Sequence, residues 1–208
     1  MTTTLIIARH GNTFEAGQTP TRVGGRTDIP LTIEGRAQSQ RLGAHLKSMN
    51  IVPDVLFTSR LQRTIETGYL AMQTIGRTVT MRPFTMFDEI DYGPDENKTE
   101  AEVIARIGQD AIADWDQNAI PPEGWIVDPE KIKQDWISFG EDMLREYPDE
   151  TIFVVTSNGI ARFAPHLAGN FDQFKTDNKL KLSTGAFSIL THDGNAWHIT
   201  EWNTKPAK

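Results

Sequence analysis

Two short stretches stand out in the pattern of apolar and polar positions. Leu5-Ile6-Ile7-Ala8 and Thr151-Ile152-Phe153-Val154-Val155-Thr156 are near-continuous apolar runs rich in β-branched residues, which predicts strands buried on both faces. Between them the period changes to that of helices. Thr32 predicts an N-cap, with Glu34 in the first turn and Ala37, Leu42 and Leu46 along a helix to about Met49. After the break at Pro53-Asp54, Val55-Leu56-Phe57-Thr58 predicts a short strand. Ser59 is expected to cap a helix from about Arg60 to Ile75, its apolar stripe being Leu61, Ile65 and Leu70. Thr78 to Met81 predicts a third strand. Asp128-Pro129-Glu130 combines a capping Asp with Pro at the first helical position and predicts a helix to about Tyr147, with Ile132, Trp136, Phe139 and Met143 as its core stripe. After the second apolar strand a helix is expected through Arg162 to about Leu167. Gly185–Leu190 and Ala196–Trp202, joined by Asp193-Gly194-Asn195, predict a closing hairpin.

Strand–helix repeats closed by an antiparallel pair predict an α/β fold, a three-layer α/β/α sandwich whose sheet is mostly parallel with an antiparallel C-terminal hairpin. Residues 1–208 are expected to form a single domain. Thr99 predicts a helix cap before Glu100–Ile107, and Ala111–Trp115 another turn or two. The stretch from about 84 to 127 is expected to be a lid or insertion over the sheet edge rather than a second core.

Composition narrows the classes. Hydrophobic residues make up 38% and charged residues 24%, which excludes a disordered chain. No apolar run is long enough to span a bilayer. Met1 to Thr4 carry no positive charge and the apolar run behind them ends at Ala8, so a signal peptide is not expected. The chain has no cysteine, which rules out disulfides and thiolate chemistry and suits a cytoplasmic protein. The net charge of −7 is concentrated between Asp88 and Asp116, where ten acidic residues meet two basic ones. That balance argues against a nucleic-acid partner. It leaves a small anionic substrate open, because Arg9, Arg22, Arg26, Arg60, Arg63 and Arg162 lie outside the acidic block. Oligomeric state is not legible in the chain.

Candidate chemistry gathers where strands end, as expected in an open α/β sheet. The first strand runs into Arg9-His10-Gly11, the second into Ser59 with Arg63 one turn on, and the later buried strand into Ser157-Asn158-Gly159. Asp88-Glu89 comes in from a loop. A histidine, two arginines and a carboxylic acid suffice for metal-free phosphoryl transfer: imidazole attacks phosphorus, guanidinium groups neutralise the equatorial oxygens, and the carboxyl group moves the proton. No cofactor is called for. The chain has neither Gly-x-x-x-x-Gly-Lys-Ser/Thr nor Gly-x-Gly-x-x-Gly, which disfavours a nucleotide-binding switch. Its five histidines (10, 45, 166, 192 and 198) lack metal-ligand spacing, so no metal site is expected.

Five blocks in order resemble the histidine phosphatase superfamily, also called phosphoglycerate-mutase-like. They are Leu5–Thr13 with Arg-His-Gly, Gly25–Gly35 around Asp28-Ile29-Pro30-Leu31-Thr32, Ser59–Thr67, Glu89–Gly93, and Val154–Arg162. The resemblance implies that His10 is the nucleophile that becomes a phosphohistidine and that Glu89 is the acid/base. It implies that Arg9 and Arg63 hold the phosphoryl group and that Asn12 and Thr13 line the loop beside it. The family's second histidine, in a Ser-His-Gly-Gly setting, is matched here by Ser157. Ser157, Asn158 and the following helix end are expected to take its place at the phosphate. The expected function is a phosphomonoester hydrolase acting on a small phosphorylated substrate. The alternatives are a degenerate member that binds a phosphorylated ligand and a phosphoglycerate-type mutase.

Overall fold

The computed structural model describes residues 2–207. Six strands form one sheet: β1 (Thr3–Arg9), β2 (Val55–Thr58), β3 (Met81–Pro83), β4 (Thr151–Thr156), β5 (Phe187–His192) and β6 (Trp197–Thr204), in the order β3-β2-β4-β1-β5-β6. The pairs β1/β4, β2/β4 and β2/β3 are parallel, while β5 runs antiparallel to both β1 and β6. The layered, mostly parallel sheet with its antiparallel closing hairpin is the architecture that the hydrophobic pattern predicts.

The two-residue period of the buried strands sorts their side chains onto two faces. Ile6, Ala8, Leu56, Phe153 and Val155 pack with Leu42 and Leu46 of α1 (Ile33–Ser48) and with Ala71, Met72 and Ile75 of α2 (Gln62–Ile75). Leu5, Ile7, Phe57, Ile152 and Val154 face the other way. They meet Trp136, Phe139 and Met143 of α5 (Pro129–Glu146) and, from the segment between β3 and α5, Phe87, Ile90, Tyr92, Trp115 and Trp125. That segment contains α3 (Glu100–Ile107) and α4 (Gln109–Asn118), and its aromatic side chains share the core of that sheet face. Asp95 anchors it: the carboxylate accepts from both Arg106 and, at 2.7 Å, from Trp125 Nε1. No helix among the described residues is long and apolar enough to cross a membrane.

Four local expectations are corrected. The third strand lies at Met81–Pro83, not Thr78–Met81. Its register is set by pairing with β2 (Leu56 opposite Met81, Thr58 opposite Pro83), and Pro83 is tolerated because β3 is the sheet edge. Helix α2 starts at Gln62 with Leu61 as its N-cap. Ser59 Oγ accepts from Leu61 N at 3.1 Å ahead of the helix, and the amide of Gln62 is satisfied by Asp28 from a distant loop at 2.9 Å. The buried face of α2 is Arg63, Thr64, Thr67, Gly68, Ala71, Met72 and Ile75, because its first turns abut the polar strand ends rather than the core. Last, the helix after β4 is only one turn, α6 (Asn158–Ala161), followed by a 3-10 segment at Ala164–Ala168. A further helix, α7 (Phe171–Asp177), has Phe174 as its one buried residue and so carries no apolar stripe to read.

Candidate active site

The loop leaving β1 is held by backbone contacts that only small residues permit. Thr67 Oγ1 on α2 accepts from Gly11 N at 3.1 Å, Gln38 Oε1 on α1 accepts from Asn12 N at 2.8 Å, and Asn12 O accepts from Thr32 N at 2.9 Å. A Cβ on Gly11 would lie 2.3 Å from the carbonyl oxygen of Gly35. The first turn of α1 therefore rests directly on the Gly11-Asn12 backbone, just past His10.

His10 is buried, and its Nδ1 lies 2.8 Å from Gly11 O. A carbonyl can only accept, so Nδ1 carries the proton and Nε2 is left with its lone pair. Nε2 has no hydrogen-bond partner among the described residues and is not sequestered, and His10 is part of the wall of a cavity of about 900 Å³. Burial, reinforced by the positive charges of Arg63 and Arg9, holds the imidazole well below its ordinary pKa. Near neutral pH it is an uncharged nucleophile with a fixed tautomer.

Arg9 shares that cavity wall. Its Nη1 donates to Leu182 O at 2.8 Å, and its Nε is buried with no partner. Arg63 is completely buried and lies behind the wall rather than on it. Nη1 donates to Thr27 O at 2.8 Å, Nη2 donates to Gly24 O at 3.2 Å, and Nε is buried without a partner. Burial lowers the pKa of both guanidinium groups, and the negative charge of Glu89 opposes it in each case.

Glu89 reaches the site from the segment after β3. Asp88 anchors the turn by accepting from Arg60 N at 2.8 Å and Arg60 Nε at 2.7 Å, and Phe87 O accepts from Thr156 Oγ1 at 2.7 Å. The Glu89 carboxyl group is buried, with Oε1 accepting from Ile90 N at 2.9 Å and Oε2 from Gly159 N at 3.2 Å. A Cβ at position 159 would lie 2.2 Å from Glu89 Oε1, so Gly159 is what lets the carboxyl group sit against the end of β4.

Of the eight residues singled out from the sequence, the cavity wall collects Arg9, His10, Asn12, Thr13, Glu89 and Asn158. Arg63 and Ser157 stand outside it. Ser157 is fully buried and its Oγ has no hydrogen-bond partner. Asn158 Oδ1 accepts from Leu182 N at 2.9 Å. Sequence reasoning did not find the supporting residues Gln38, Thr67 and Leu182, whose contacts to the site are with residues distant in the chain. It also gave no role to Arg162, a completely buried guanidinium 3.9 Å from the Trp115 ring centre. Arg162 donates to Trp115 O and, at 3.4 Å, to Asn158 O. Burial pulls its pKa down to about 10. Tyr92, also on the wall, has its phenol raised by burial and by the charge of Glu89.

Comparison with known proteins identifies the family. The family model for the histidine phosphatase superfamily (branch 1) matches residues 5–205, and the chain belongs to that family. Among curated relatives, a 2,3-bisphosphoglycerate-dependent phosphoglycerate mutase of Bifidobacterium longum is 32% identical over 124 residues, 59% of this chain and 50% of that one. The corresponding protein of Mycobacterium leprae is 34% identical over 136 residues, 64% of this chain and 54% of that one. The chain thus spans about half the length of the curated relatives it matches. Among solved structures, a mycobacterial glucosyl-3-phosphoglycerate phosphatase superposes with a TM-score of 0.80 at 17% identity, covering 98% of this chain and 100% of that one. The alpha-ribazole phosphatase of Shigella flexneri gives 0.72 at 21% identity, covering 99% and 98%. At these identities the likeness is one of fold.

Proposed function

We propose that the protein hydrolyses phosphomonoesters through a phosphohistidine at His10. The observation that carries this reading is the orientation of His10, with Nδ1–H spent on Gly11 O and an uncharged Nε2 open to a cavity that also holds Arg9 and Glu89. In the first step Nε2 attacks phosphorus, the N–P bond forms, and the P–O bond to the leaving group breaks. The Glu89 carboxyl group gives its proton to the departing oxygen, releasing an alcohol. In the second step the Glu89 carboxylate removes a proton from water, the resulting oxygen attacks phosphorus, and the P–N bond breaks. Phosphate leaves, and the imidazole and the carboxylic acid are restored. Gly11 O holds the Nδ1 proton throughout. Arg9 meets the phosphoryl oxygens from the wall, with Asn12 and Thr13 beside it, and Arg63 adds its charge from behind.

Hydrolysis is favoured over a mutase cycle by the charges further out in the cavity. Arg22 is paired with Glu100 at 2.5 Å, Lys181 lies 4.0 Å from Asp116, and Glu15 and Glu34 add negative charge to the same wall. A second phosphate group would find there no cation without a carboxylate already beside it. The segment at about 84–127 acts in this reading as the lid. It contributes Glu89, Tyr92, Thr99, Glu100 and Asp116 to the wall, and release of an uncharged alcohol past it is easier than retention of a bisphosphate. Steady-state assays with p-nitrophenyl phosphate and with 3-phosphoglycerate plus 2,3-bisphosphoglycerate test the reading. Phosphate release that His10→Ala abolishes is expected. Isomerisation of phosphoglycerate faster than phosphate release would replace the phosphatase with a mutase, and binding without turnover would replace it with a binding module.

A further inference from the structure

Arg63 stands behind the cavity wall, so its value to the site depends on where its rigid fork is aimed. Both η nitrogens are spent on one short turn. Nη1 donates to Thr27 O at 2.8 Å and Nη2 to Gly24 O at 3.2 Å, and Thr27 N closes the turn on Gly24 O at 3.3 Å. A planar guanidinium held at both η nitrogens has its plane fixed, and with it the direction of Nε. The turn is held in its place by Glu96, from the segment that also carries Glu89. A single oxygen, Glu96 Oε1, accepts from Gly24 N at 3.0 Å and from Thr27 Oγ1 at 2.7 Å, so it ties together the two residues whose carbonyls hold Arg63. Oε2 accepts from Tyr92 N at 3.4 Å. The packing is close: a Cβ on Gly24 would lie 2.3 Å from Glu96 Oε2, and Gly25 N donates to Ile90 O, one residue past Glu89, at 3.0 Å. Glu96, Gly24 and Thr27 are all off the cavity wall. The charge of Glu96 acts on Arg63 less than the charges of Glu89 and Asp28 do, so its reach into the site is through bonds.

We propose that Glu96 is a positioning residue for Arg63: by fixing the Gly24–Thr27 turn it aims the buried guanidinium at the phosphoryl group on His10. This rests on the phosphatase reading above. The Glu96 carboxylate meets no substrate. It links the segment that delivers Glu89 to the loop that aims Arg63, so the acid/base and the buried cation are placed by one structure. Its bonds to an N–H and an O–H are charge-assisted and stronger than neutral ones.

The test uses the whole chain with p-nitrophenyl phosphate, comparing wild type, Glu96→Gln, Glu96→Ala, Arg63→Met and the Glu96→Ala/Arg63→Met double variant, each checked for a native thermal transition. A charged group left free to shift by about 1 Å loses up to about 10² in rate, and Glu96→Ala is expected to lower kcat about 10- to 100-fold. Glu96→Gln keeps an oxygen with two lone pairs for Gly24 N and Thr27 Oγ1, and its kcat is expected within about threefold of wild type. In the Arg63→Met background Glu96→Ala is expected to change kcat by less than about twofold, because the residue it acts through is gone. A role only in stability, or one exerted through Tyr92, slows both backgrounds by the same factor and would overturn the proposal. So would Glu96→Ala with wild-type kcat, or Glu96→Gln as slow as Glu96→Ala. Should Glu96→Ala not fold, Thr27→Val removes only the Oγ1 bond and enters the cycle in its place. Should Arg63→Met not fold, Arg63→Lys does the same, keeping the charge without the fork. If wild type itself hydrolyses nothing, the phosphatase reading fails separately, and the same cycle is read by titration of orthovanadate against tryptophan fluorescence. Binding weakened by Glu96→Ala in the wild-type background but not in Arg63→Met supports the positioning role, and equal weakening in both, or none, overturns it.

Discussion

Gly159→Ala probes the seat of the acid/base with little cost to the fold. The glycine backbone is in an ordinary region, so alanine is tolerated there by the chain itself. The added Cβ would stand 2.2 Å from Glu89 Oε1, 2.9 Å from Ile90 Cγ1 and 3.1 Å from Glu89 Cδ. Ordinary contact begins near 3.4 Å, so the carboxyl group must retreat by about 1 Å. The atoms in the way belong to side chains, the nearest being the end of the Glu89 carboxyl group, not backbone, and overpacking that can relax in this manner sits at the low end of the usual range, about 1 kcal/mol. The effect on chemistry is much larger, because a catalytic group displaced by about 1 Å loses on the order of 10² in rate. The Gly159 N–H that holds Oε2 at 3.2 Å is also carried out of line. The expected outcome is kcat for p-nitrophenyl phosphate lowered about 100-fold, KM nearly unchanged, and a urea midpoint close to wild type. Gly159→Ala with wild-type kcat and an intact fold would refute the placement of Glu89 at the reacting atoms.

Other perturbations give distinct signatures. Gly11→Ala meets backbone, with Gly35 O at 2.3 Å and Gly35 Cα at 2.9 Å, so it is expected to lose folded protein rather than rate alone, read by circular dichroism and solubility. Thr67→Val keeps the shape but leaves the Gly11 N–H without its acceptor, and about 1–3 kcal/mol of stability should go with it in urea melts. Because the His10 pKa lies well below the free imidazole value of about 6.5, the imidazole stays neutral as pH drops through that value, and log(kcat/KM) should show no acid limb near pH 6.5. Stability follows the opposite side of the same linkage. The folded state resists protonation of His10 and of His166, which is held down to about 4 beside Phe171. The unfolded chain protonates near 6.5, so stability is full above about pH 6.5 and falls as pH drops below it. His166→Asn should flatten part of that slope in urea melts between pH 7 and 4.5.

The sheet was readable where burial alone decides it. The apolar runs of β1 and β4 and the cap residues Thr32 and Asp128 lie where their local chemistry predicts. Legibility failed where a distant partner decides. Asp28 satisfies the start of α2 from a loop, β2 sets the register of β3, and α7 has a single buried residue. The site shows the same division. Arg9 and His10 follow from their place at a strand end, whereas the amide orientation of Asn158 depends on Leu182 N, 24 residues away. Nothing local distinguishes Ser157, with its hydroxyl shut in, from Asn158 on the wall.

Covalent transfer to one ring nitrogen is measured directly by rapid acid-free quench of the protein with ³²P-labelled phosphomonoester followed by peptide mass spectrometry under alkaline conditions. An acid-labile, alkali-stable phosphoryl group on Nε2 of His10, forming and decaying at the rate of turnover, is the predicted result. Turnover with no phosphoprotein, or label on another residue while His10→Ala remains active, would contradict it.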